Sequence, residues 1–108
     1  MLEDVLSASL QGIRTGPTEQ KFLESVAEQH VHYLALRPAP IRDGWELEGT
    51  WLTTPLLLDM NLLNRDEVGL QLLEGRMRVG ILQGRLHSEF CVASTHKAWV
   101  GRRRAAGS

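Results

Sequence analysis

The apolar positions of this 108-residue chain change period several times, and each change predicts an element. Leu2, Val5, Leu6 and Leu10 share one helical stripe with Ile13 beside it, predicting a short amphipathic helix that stops near Gly12 or Gly16. Thr15-Gly16-Pro17-Thr18 resets the chain and offers Thr15 or Thr18 as an N-cap. Phe22, Leu23, Val26, Ala27 and His30 then recur at helical spacing, with Glu19, Glu24, Glu28 and Gln29 on other faces. That pattern predicts a helix over residues 18–30. Residues 31–36 (VHYLAL) either complete it or open a strand, and Pro38 and Pro40 predict an extended or irregular stretch over 37–41.

Beyond an Asp43-Gly44 turn the period shortens. Trp45, Leu47, Gly49 and Trp51 alternate with Glu46, Glu48 and Thr50, the period-two pattern of a half-buried strand. Pro55 separates this run from Leu56-Leu57-Leu58, a short buried strand. Residues 61–69, polar around Asn64-Arg65-Asp66-Glu67, leave room for one helical turn. Leu70-Gln71-Leu72-Leu73 reads as a strand, and residues 76–83 as a short helix with Gly84 as its C′ residue. Residues 90–93 and 98–100 read as β segments around a Ser94-Thr95-His96-Lys97 loop. The fold class is α+β: N-terminal helices, then a small mixed sheet with one inserted helix. One domain is expected over residues 1–101, with a flexible basic tail over 102–108.

Composition narrows the function classes. Apolar residues at 43% and charged residues at 23% fit a globular chain rather than a disordered one. A formal net charge of −1 counts against a protein that grips nucleic acid by neutralising phosphates. Cys91 is the sole cysteine, which excludes an internal disulfide and a cysteine-based metal site. No basic leader precedes a long apolar run, and no run approaches the roughly 18 residues of a spanning helix. A soluble cytoplasmic protein with no membrane partner is therefore expected.

The segment richest in candidate chemistry is Glu74-Gly75-Arg76-Met77-Arg78. A helix starting directly after a strand aims its free N–H groups past the strand end, and a glycine lets a ligand come close. Arg76 and Arg78 add guanidinium donors suited to phosphate or carboxylate. They stand roughly 200° apart around the helix, so one can reach a ligand while the other pairs with Glu74 or covers the surface. The bland alternative is a turn opening a helix, with both arginines solvated.

Strand, Gly75, Arg76-Met77-Arg78, short helix, Gly84 and a further β segment resemble the central signature of the ParB/sulfiredoxin superfamily. Pro55-Leu56-Leu57-Leu58 resembles the proline-led strand that precedes it. The resemblance spans about residues 52–100. It implies Gly75 as the turn glycine and Arg78 as a phosphate-contacting arginine. It also implies a nucleotide, with Mg²⁺, as the class of ligand. Sulfiredoxins carry a reactive cysteine where this chain has Arg76, and Cys91 lies outside the motif, so sulfinic acid reduction is not implied. ParB proteins place an acidic residue and an arginine where this chain has Arg76 and Met77, and residues 101–108 leave no room for their helix-turn-helix region.

Other candidates are thinner. A metal site would need His30, His32, His87 or His96 to converge, and the alternative places His30 on the apolar edge of its helix and His32 on the surface. Glu46, Glu48 and Asp59 can serve as a general base or hold Mg²⁺, or form solvated faces. Two of Trp45, Trp51 and Trp99 are expected in the core, leaving one for a partner surface. Arg102-Arg103-Arg104 reads as a solvated end more readily than as a nucleic-acid contact. Two functions follow: a domain binding a nucleotide or other phosphate-bearing anion at Glu74, Gly75, Arg76 and Arg78, or a small protein-interaction module of inhibitor or immunity type with no enzymatic activity.

Overall fold

The computed structural model describes residues 1–62 and 65–102. The elements run β1 (Leu2–Leu6), α1 (Ser7–Gln11), α2 (Pro17–Glu28), α3 (His30–Ala35), α4 (Ala39–Asp43) and a π-helical turn (Gly44–Glu48). β2 (Leu56–Asp59), a 3₁₀ turn (Met60–Leu62), β3 (Leu70–Glu74), α5 (Arg76–His87) and β4 (Thr95–Gly101) complete the order. The α+β class holds, and none of these helices is long and apolar enough to cross a membrane.

The strands form one mixed sheet in the order β1-β4-β2-β3. β1 and β4 are antiparallel, β4 and β2 parallel, and β2 and β3 antiparallel with a register shift between Leu56 and Leu57. Val5, Leu57, Leu72, Ala98 and Val100 are buried and share one core with Leu10, Leu23, Val26, Val79, Ile81 and Leu82 from the helices. On β1 and β4 the residues of the opposite parity are mostly exposed. Leu2 and Leu56 both lie in register with Trp99, and all three are exposed.

α5 lies at the centre and buries residues on several faces, Val79, Gly80, Ile81, Leu82, Gly84 and Arg85 among them. Its closest neighbour is α2. A Cβ built on Gly80 would lie 2.7 Å from Val26 Cγ1, and one on Gly84 would lie 2.4 Å from the Ala27 carbonyl oxygen. Gly84 is therefore a packing residue inside the helix and not its C′ residue; the helix runs on to His87.

Several other expectations are corrected. The helix expected at the start is a strand followed by one short helix. Val5 points inward while Leu2 and Leu6 are exposed, and pairing with β4 overrides the helical spacing. The expected strand over 45–51 is a π-helical turn: Trp45 is fully buried, Leu47 is 83% exposed, and Gly49 ends the turn at φ +69°. Residues 31–35 lie in helix α3 with Leu36 as its C-cap, and 39–41 fall in α4, whose proline occupies the first turn where no N–H is needed. Gly16, not a threonine, is the N-cap of α2.

Residues 90–93 form no strand; Phe90 N–H instead donates to the Arg85 carbonyl as the chain wraps the end of α5. The expected loop over 94–97 is mostly strand, because His96 alternates inward with Ala98 and Val100. Arg102, expected in a loose tail, donates to Glu3 at 2.5 Å and to Asp59 at 2.8 Å. Residues 103–108 and Asn64 lie outside the described residues.

Candidate functional site

β3 ends at Glu74, and α5 begins at Arg76 with Gly75 as its N-cap. Gly75 has φ +110°, and a Cβ there would lie 2.5 Å from Pro55 Cβ. Both the conformation and the contact demand glycine. No side chain caps this helix N-terminus, so its first amides keep their donor capacity and its dipole faces the strand end.

Glu74, Gly75, Arg76 and Arg78 line one cavity of about 300 Å³ together with Glu19 and Met77. Arg78 forms an ion pair with Glu74 and donates to the Thr53 carbonyl at 3.1 Å. Its side chain is 22% exposed, against 56% for Arg76. Arg76 lies over the Phe22 ring at 4.4 Å and pairs with Glu19 at 3.4 Å. The two arginines thus divide as their angular separation requires. Both are already met by carboxylates of the chain, and the cavity's local charge is balanced by Glu19 and Glu74 rather than strongly positive.

The other candidates do not join this site. Asp59 accepts from Arg102 and from the Asn61 backbone N–H. Glu46 and Glu48 are exposed on the π-helical turn. No group of three or more His, Cys, Asp or Glu residues suited to a metal occurs among the described residues.

His96 is buried, with Nε2 2.7 Å from Ser7 Oγ and Nδ1 2.6 Å from Thr50 Oγ1. Ser7 Oγ also donates to the Ala93 carbonyl, so its oxygen receives the proton of His96 Nε2 while Thr50 donates to Nδ1. Burial holds the His96 pKa below its ordinary value. This network ties β4 to the start of α1 and to the segment after the π-helical turn. Trp45 and Trp51 are core residues at 6.3 Å in an edge-to-face pair, and Trp99 is the exposed one at 48%.

The sequence reading missed Arg85, whose guanidinium is almost wholly buried near the C-terminal end of α5. No local signal marks it, since an arginine in the last turn of a helix ordinarily complements the dipole from the surface. A hollow of about 710 Å³, larger than the one at Gly75, lies among Gln11, Gln20, Glu24, Gln83 and His87. Its lining includes Glu24 and Glu28 but no lysine or arginine, which suits an anion poorly. Comparison with protein-family models, curated proteins and solved structures returns no match.

Proposed function

We propose that this protein is a small ParB/sulfiredoxin-like domain that binds a nucleotide or another phosphate-bearing anion at the turn formed by Glu74, Gly75, Arg76 and Arg78. The observation that carries the reading is the convergence of an uncapped helix N-terminus, two arginines and a carboxylate on one cavity. Amide N–H groups and guanidiniums supply the donors that a phosphate requires. Glu74 and Glu19 act as internal stand-ins for the anion, holding Arg78 and Arg76 until a phosphate displaces them. Glu74, once released, is the carboxylate placed to hold a Mg²⁺ that accompanies a nucleotide. The reading is one of binding, with no catalytic step assigned.

Titration calorimetry with inorganic phosphate and with ATP, with and without Mg²⁺, tests it on three proteins. Wild type should bind saturably, Arg78→Ala should lose binding, and Glu74→Gln should bind the Mg²⁺-free ligands more tightly because Arg78 is freed. Failure of both wild type and Glu74→Gln to bind any of these ligands overturns the reading.

The open sheet face favours a second reading, a protein-interaction module. Leu2, Trp99 and Leu56 form an exposed row, and large exposed apolar groups in one patch suit docking. A chain indifferent to phosphate, whose Trp99 emission shifts to the blue on association, would follow this second course.

A further inference from the structure

We infer a second ligand site, at the opposite end of α5, that takes a small carboxylate carrying an apolar body, with Arg85 and Arg42 as its cationic contacts. Arg85 is 4% exposed. Its Nη1 meets Glu46 Oε1 at 3.4 Å and its Nη2 meets the Trp45 carbonyl at 3.4 Å, both near the long limit of a hydrogen bond. The Nε has no partner. The guanidinium carbon lies 5.0 Å from the Phe90 ring and 5.6 Å from the Trp45 ring. Glu46, the one carboxylate ion-paired with Arg85 among the described residues, has a side chain 64% exposed and so free to turn toward water.

A guanidinium withdrawn from water is costly unless a close carboxylate compensates it, usually through two parallel bonds. Arg85 has only one long contact of that kind. Beside it opens a cavity of about 500 Å³, within the size range of small-molecule sites. Val31, Leu34 and Ala35 of α3 form an apolar wall facing Phe90, and Arg42 adds a second cation.

The lining also fixes the ligand class. Asp43 and Glu46 offset the two arginines and, unlike the turn at Gly75, the C-terminal end of α5 offers no free amide donors, so a single negative charge is accommodated where a phosphate dianion would be opposed. The apolar wall calls for a hydrocarbon or aryl body on that charge. A carboxylate entering the cavity would take the place of Glu46 on Arg85 and satisfy a cation already desolvated. Arg78 and Arg85 are seven residues apart, about 10 Å along the helix, and line different cavities.

Benzoate and cyclohexanecarboxylate are suitable probes, with benzamide as the neutral isostere and inorganic phosphate as the contrast. Calorimetry and thermal shift on wild type should show saturable binding of the two carboxylates and none of benzamide. Glu46→Gln should bind them more tightly. Arg42→Ala and Val31→Asp, both at exposed positions, should weaken binding about tenfold, the scale of one charged contact. Arg78→Ala should leave it unchanged. Absence of carboxylate binding in both wild type and Glu46→Gln overturns the inference. Binding indifferent to Arg42→Ala and Val31→Asp, or lost in Arg78→Ala, overturns it too. Failure of phosphate to bind the turn touches only the previous proposal, because these arms read a different ligand through different residues.

Discussion

Replacing Gly84 with alanine tests the packing on which the position of α5 depends. The new Cβ would lie 2.4 Å from the Ala27 carbonyl oxygen, 2.7 Å from His30 Cδ2 and 2.8 Å from His30 Cβ. Ordinary carbon contacts lie near 3.5–4.0 Å, so α2 must withdraw by about 1 Å. The obstacle is backbone, not the end of a flexible side chain, and the shift would loosen Leu23 and Val26 from the core. Overpacking costs about 1–3 kcal/mol, and a contact of 2.4 Å against backbone belongs at the upper end, about 2–3 kcal/mol. Alanine offsets part of that, since it favours a helix interior by about 1 kcal/mol over glycine. A net loss of about 1–2 kcal/mol, or roughly 4–8 °C in Tm, is expected by thermal or urea denaturation. Gly12→Ala is the control, because a Cβ there meets nothing within 4 Å. A Gly84→Ala protein as stable as wild type would refute the close approach of α2 and α5.

Other outcomes follow from the same structure. Burial holds the pKa of His30 and His96 below the ordinary 6.5, with Arg85 adding to the effect on His30. The unfolded chain therefore takes up these protons first, and stability should fall as pH drops below about 6.5 and keep falling until the folded histidines titrate. Tm measured from pH 7.5 to 5 should decline, and a flat profile would contradict the burial. Ser7→Ala removes the oxygen facing His96 and should cost about 1–2 kcal/mol by urea denaturation. Arg102→Ala breaks the pairs to Glu3 and Asp59 at a partly exposed position, so a loss below about 1 kcal/mol that shrinks in high salt is expected. Trp99→Ser removes a half-buried ring beside Leu2 and Leu56 on the open sheet face and should cost about 1–2 kcal/mol, less than the loss of a core residue.

The strand-turn-helix around Gly75 was legible because a local apolar run, one glycine and a new period coincide there. The ends of β1 were not. Leu2, Val5, Leu6 and Leu10 satisfy helical spacing, and only pairing with β4, nearly a chain length away, makes residues 2–6 a strand. The Trp45–Trp51 alternation misled for a similar reason. Its odd positions do not share a face, since Leu47 is solvent-exposed while Trp45 is buried. α5 is buried on several sides, so its pattern carried no face to read, and Gly84 passed for a terminator and Arg85 for a surface cation. The residues of the turn share one cavity. Their pairing with Glu19 and Glu74 depends on side-chain reach, which spacing showed for Glu74 alone.

The proposed function places a phosphate at the N-terminus of α5. The most direct measurement is an amide NMR titration of the ¹⁵N-labelled protein with inorganic phosphate and with ATP, repeated on Glu74→Gln. Saturable shifts are expected at Gly75, Arg76, Met77 and Arg78, at lower ligand concentration in Glu74→Gln. Shifts that never saturate, or that centre elsewhere on the protein, would contradict it.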